Sequence, residues 1–177
     1  GKVVSELINA DGTPTYGAYD LVPVLDAFVA QNPNFSYKGA KAILAVSGYD
    51  GIFGHRIDKD AKDRMTAEDF DTEVKNATAL VNKLKENGYT LACYTYGNKA
   101  YGSESATQIQ ADLKSWAEEI EPVIGKLDVL AFAKKSPITN NGVLSGEKYD
   151  VLKAAGFKYY LGFSSAGSSW ADVTEEY

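Results

Sequence analysis

Four short apolar runs, residues 40–48, 89–95, 127–133 and 157–163, are separated by stretches whose apolar residues recur at helical spacing. This alternation restricts the fold more than any other feature of the chain. Strand, helix and strand in repeated succession call for a mostly parallel sheet with right-handed crossovers. The clearest helix covers 66–88. Phe70, Val74, Ala77, Leu80, Val81 and Leu84 form one stripe, acids crowd its start, and Asn87-Gly88 stops it. The next helix, 105–123, carries Ile109, Leu113, Trp116 and Ile120, and a shorter one follows at 146–156. The run at 40–48 is almost wholly apolar and reads as a strand buried on both faces. Residues 49–65 read as a polar loop.

Two elements precede this series. A β-like run from Lys2 to Ile8 turns at Asp11-Gly12, which predicts an N-terminal hairpin. Leu21, Val24, Leu25 and Phe28 then share helical spacing, with Asp20 as N-cap and Pro23 in the first turn, where its missing N–H does little harm. Asn32-Pro33 ends that helix. No repeat, low-complexity tract or linker interrupts residues 1–177, so a single domain is expected.

In such a sheet the carboxyl ends of the strands share one edge, and ligands bind there. Four segments converge on it by topology alone: Ser47-Gly48-Tyr49-Asp50, Thr95-Tyr96-Gly97-Asn98, Lys134-Lys135-Ser136 and Ser164-Ser165. The candidate ligand-binding residues are therefore Tyr49, Asp50, Tyr94, Tyr96, Asn98 and Lys134. The three tyrosines are placed to stack on sugar faces, and the polar three to hydrogen-bond hydroxyls. Twelve tyrosines stand against seven phenylalanines. That excess suits sugar-binding surfaces, although half-buried strands are the commoner use of such residues.

Several chemistries are poorly served. A net charge of −6 argues against nucleic-acid binding, which wants clustered Lys and Arg. No run approaches the roughly 20 apolar residues of a membrane span. Cys93 is the single cysteine, so an intrachain disulfide and a thiolate metal cluster are both excluded. A catalytic metal needs about three protein ligands, yet His55 is the one histidine. G-x-S-x-G, the P-loop and G-x-G-x-x-G are all absent, so no metal or cofactor is expected and the catalytic residues stay unassigned. Asp50, Asp58 and Asp60 could pair as glycosidase acids, but a solvated acidic loop explains them as well. Lys134-Lys135 suits either an anionic ligand or water.

The stretch "YDLVPVLDAFVAQNPNFSYKGAKAILAVSGYDGIFGHRID" resembles one found in polysaccharide deacetylase-like proteins of the NodB-homology family, secreted or surface-anchored in Gram-positive bacteria. The similarity continues through "LKENGYTLACYTYGN", "DLKSWAEEIEPVIGKLDVLAFA" and "LKAAGFKYYLGFSS". It implies a distorted, incomplete (β/α) barrel, an extracellular or cell-surface location and a polysaccharide or peptidoglycan-type glycan as partner. Active members use a divalent metal, held by an Asp from an early pair and by two histidines at a strand end. Where relatives read Ala-Ser-His-Thr-Trp-Gly-His, this chain reads Ala92-Cys93-Tyr94-Thr95-Tyr96-Gly97-Asn98. Tyr94 and Asn98 thus replace the imidazoles, and neither phenol nor carboxamide is a good substitute. The Asp pair does not precede the Asp20 helix, so the motif strand is expected to be missing. The loop after "VLAFA" keeps only Pro137 of the family's substrate loop, and the chain ends before the last catalytic histidine would be reached. The resemblance therefore implies a domain without metal-dependent hydrolysis that retains carbohydrate binding. Two alternatives stand beside it. One is an active deacetylase whose ligands lie outside this sequence; the other is an interaction domain with no small ligand.

Overall fold

The computed structural model describes residues 2–140 and 143–162. Its centre is a four-stranded parallel sheet in the order β3 (Ile43–Val46), β4 (Thr90–Cys93), β5 (Val129–Ala131) and β8 (Tyr159–Leu161). The helices α3 (Ala67–Glu86), α4 (Ala106–Ser115), α5 (Glu121–Ile124) and α6 (Glu147–Ala154) lie between successive strands in sequence. Strands stacked in chain order with right-handed crossovers put every connecting helix on the same side of the sheet. The burial agrees. Leu44, Val46, Leu91, Cys93, Leu130 and Tyr160 share one core with Ala77 and Val81 of α3, Ile109 and Leu113 of α4, Ile124 of α5 and Leu152 of α6. On the edge strands the intervening residues Ile43, Ala45 and Tyr159 face the other way and are exposed, whereas Ala92, Val129 and Ala131 of the two central strands are buried on that face too.

The expected N-terminal hairpin is present as β1 (Ser5–Ile8) and β2 (Pro14–Gly17), antiparallel and apart from the main sheet. Asp11 accepts from the Thr13 N–H and hydroxyl at the turn, and Gly12 takes φ +82°, so the Asp-Gly pair does what its chemistry favours. Asp20 caps α1 (Leu21–Gln31) as anticipated. That helix does not bury its apolar stripe among the described residues. Leu21, Val24 and Phe28 are exposed, and Pro23 is its buried residue. Polar ties fix it instead: the Tyr89 hydroxyl lies 2.9 Å from Asp26 Oδ1 and 3.0 Å from the Val22 carbonyl, and Lys41 pairs with Asp26. Desolvation, with Asp26 beside it, raises the pKa of the Tyr89 phenol.

Three expectations are corrected. β3 is an edge strand with alternating exposure, not one buried on both faces. Residues 49–65 are not all loop, because Asp58 caps a short helix, α2 (Lys59–Arg64), through the Ala61 N–H. The helix of 105–123 is broken by one π-turn, Trp116–Ile120, between α4 and α5. A two-residue hairpin, β6 (Thr139–Asn140) with β7 (Val143–Leu144), was not anticipated. Among the described residues no helix is long and apolar enough to cross a membrane.

Candidate functional site

The carboxyl ends of β3, β4 and β5 are joined by hydrogen bonds in which main-chain N–H groups donate. The N–H groups of Gly48 and Tyr49 both donate to the Tyr96 carbonyl at 3.0 Å. A side chain at Gly48 would meet the Tyr96 ring at 2.6 Å and Ile120 at 2.7 Å, so only glycine lets these loops approach. The Lys134 N–H donates to the Tyr94 hydroxyl at 3.2 Å and joins the β4 end to the β5 loop. The edge is a connected surface.

A carboxylate that was not foreseen holds the centre of it. Asp112 on α4 is 5% exposed and accepts three hydrogen bonds: from Tyr96 N at 2.8 Å, Gly97 N at 2.8 Å and the Tyr101 hydroxyl at 2.7 Å. Burial, reinforced by the Asp112 charge, raises the Tyr101 phenol pKa well above its usual value. Its position in the sequence offered a clue, for Asp112 adjoins Leu113 and lies three residues after Ile109, on the apolar side of its helix. Glu119 was missed as well. Its Oε2 accepts from the Tyr96 hydroxyl at 2.6 Å and from Lys59 N at 2.8 Å, and it is carried by the π-turn. Such turns recur at functional sites. Burial, followed by the Glu119 contact, raises the pKa of Tyr96.

Backbone strain gathers here. Six non-glycine residues have left-handed φ among the described residues, and four of them border this edge: Thr95 (+62°), Asn98 (+50°), Lys134 (+55°) and Lys135 (+54°). A β-branched residue at such a φ is a true outlier. Thr95 is held there by complete burial and by its hydroxyl, which accepts from Lys99 N at 2.8 Å. Strain of this kind costs about 1–3 kcal/mol per residue and collects at ligand sites.

The six candidate residues are placed differently from one another. Tyr49 is exposed beside the edge, and Asp50 is exposed with Arg56 3.7 Å away. Tyr94 and Asn98 are half-buried at the β4 end, and the Lys134 side chain is exposed. Tyr96 lies against Gly48 with its hydroxyl turned to Glu119, a position that links loops more than it presents a ring. Ser164 and Ser165 lie outside the described residues.

Phenol, carboxamide, ammonium and carboxylate groups on one edge suit a hydroxyl-rich ligand. They do not suit the divalent metal that the family resemblance implies. The Tyr94 hydroxyl already accepts a backbone N–H, and among the described residues no three His, Cys, Asp or Glu side chains are grouped to hold a metal. Cys93 is fully buried, and its thiol pKa is pushed up by that burial. Asp58 is occupied too: Arg56 Nε and Nη2 donate to its two oxygens at 2.8 and 3.2 Å. Burial raises this carboxyl, but Arg56 and the Ala61 N–H outweigh it and leave the pKa lowered. These contacts give Asp58 a structural task.

No protein-family model matches this sequence, and a search of curated proteins finds no match.

Proposed function

We propose that this chain is a polysaccharide deacetylase-like domain of a bacterial surface or secreted protein. In this reading its strand-end edge binds carbohydrate without metal-dependent hydrolysis. The sheet would be part of an incomplete (β/α) barrel, a reading supported by strands stacked in chain order with their helix-facing core on one side. The observation that carries the functional reading is the concentration of left-handed, non-glycine residues at the ends of β4 and β5. The fold maintains that strain beside Tyr94 and Asn98, where the resemblance would put the replaced metal ligands, and at Lys134. Tyr49 offers an exposed ring for stacking on a sugar face, and Asn98, Lys134 and Asp50 offer hydrogen bonds to hydroxyl and acetamido groups.

Calorimetric titration with N-acetylglucosamine oligomers tests this. The expected result is saturable binding that weakens about tenfold or more in Tyr49→Ala and Asn98→Ala, the effect of losing one stacking or hydrogen-bonding group. Binding that both variants leave unchanged would refute the site. Metal analysis of the purified protein tests the other half: one tightly held zinc, cobalt or nickel per chain would restore the hydrolase reading.

A further inference from the structure

A cavity of about 640 Å³, lined by none of the six candidate residues, lies between the N-terminal strand, the start of α1, the loop after β3 and the flank of α3. Its volume falls within the range of small-molecule sites. Val22, Pro23, Leu80 and Leu84 give it apolar walls. Two polar groups at its lining have unspent hydrogen-bonding capacity. Ser5 Oγ is buried and has no partner among the described residues. His55 lies with Nδ1 3.2 Å from Glu73 Oε2, an oxygen that also accepts the Arg56 N–H at 3.0 Å. A carboxylate on Nδ1 selects the tautomer with its proton there, which leaves Nε2 of the neutral ring as an acceptor. Among the described residues Nε2 makes no hydrogen bond.

The charge of the lining has one sign. Glu6 and Asp20 border the cavity, Glu73 stands behind His55, and no Lys or Arg lines it. Arg56, the nearest guanidinium in sequence, is turned to Asp58 and Asp50. Phe53, at the wall, holds φ +52°, strained geometry for an aromatic residue and of the kind kept at ligand clamps.

We infer that this cavity binds a small organic ammonium: a protonated amine on an apolar body. The body fills the space against Val22, Leu80 and Leu84. The N–H groups donate to His55 Nε2 and Ser5 Oγ, and the carboxylates of Asp20 at the rim and Glu73 behind His55 balance the charge. A carboxylate ligand is repelled by the same groups. A neutral alcohol keeps the packing but loses the charge-assisted bonds.

Three probes of similar size separate these cases on the full chain: phenethylamine, 2-phenylethanol and phenylacetate, each followed by NMR up to about 10 mM, where even millimolar affinity saturates. The expected order is phenethylamine first, the alcohol weaker by about tenfold or more, and phenylacetate undetected. His55→Ala and Ser5→Ala, checked for an unchanged thermal melt, should each weaken phenethylamine severalfold, and Leu80→Trp should block it by filling the cavity. Any other order of the probes, no binding at all, or binding indifferent to both His55→Ala and Ser5→Ala overturns the inference. Asn98→Ala should leave phenethylamine binding intact, so failure at the glycan edge and failure at this cavity are read separately.

Discussion

Replacing Asp112 by alanine removes the acceptor for three donors at once: Tyr96 N, Gly97 N and the Tyr101 hydroxyl. Each bond to an ionised carboxylate contributes about 1.5–3 kcal/mol, so the gross loss is about 5–9 kcal/mol. Some of it is recoverable. Tyr96 and Gly97 are half-buried, and water can reach their N–H groups once the loop relaxes, whereas the Tyr101 hydroxyl is fully enclosed. The net cost expected for Asp112→Ala is therefore about 3–5 kcal/mol, in the upper tail for single substitutions. Asp112→Asn keeps one oxygen and should lose about half of that. Tyr101→Phe deletes one of the three bonds and should cost about 1–2 kcal/mol. Urea unfolding followed by far-UV circular dichroism and tryptophan fluorescence measures all three. With a slope of about 2 kcal/mol/M, Asp112→Ala should move the midpoint by about 2 M. The double variant should fall short of additivity by about 1 kcal/mol, because the two residues share one bond. A loss below about 1 kcal/mol for Asp112→Ala, or full additivity with Tyr101→Phe, would refute the view that this carboxylate holds the strand-end loop.

Three further perturbations test neighbouring claims. Asp58 has a lowered folded pKa, so its contribution is present above the unfolded value of about 4 and is lost as pH falls through the folded one; acid titration of stability should flatten in this range in Asp58→Asn. Tyr96 and Tyr101 have raised pKa values, so their contribution is complete below about pH 10 and fades above it. Ultraviolet titration should accordingly show their phenolates forming only as the protein unfolds in alkali. Lys135→Gly relieves a left-handed lysine and should stabilise the chain by about 1 kcal/mol, which raises the melting temperature by about 2–4 °C; an unchanged or lower melt would show that the strain is not there to relieve.

Much of the architecture is legible because it rests on local chemistry and periodicity. Asp20 caps the helix it was expected to cap, Asn87-Gly88 ends α3, and Asp11-Gly12 makes the hairpin turn. What escaped reading depends on where elements sit relative to one another. The apolar run Ile43–Val46 has the composition of a central strand, and its place at the sheet edge is a property of strand order that composition does not encode. Leu21, Val24 and Phe28 have core-like spacing, but their exposure follows from how α1 is tethered through Asp26. At the candidate edge, topology predicted the convergence of the β3, β4 and β5 loops. Asp112 and Glu119 were missed because a carboxylate on a helix is usually solvated, and the partners of these two lie 11 to 60 residues away in sequence. The left-handed φ of Thr95 was invisible for another reason: nothing about threonine predicts it.

The claim that carries the most weight is that the strand-end edge holds a glycan. Amide-resolved NMR titration with an N-acetylglucosamine oligomer reports on it residue by residue. Saturable shifts confined to residues 47–51, 94–99 and 133–136 are the predicted result. An unperturbed spectrum of the folded protein at saturating oligomer, or shifts only outside these three loops, would contradict it.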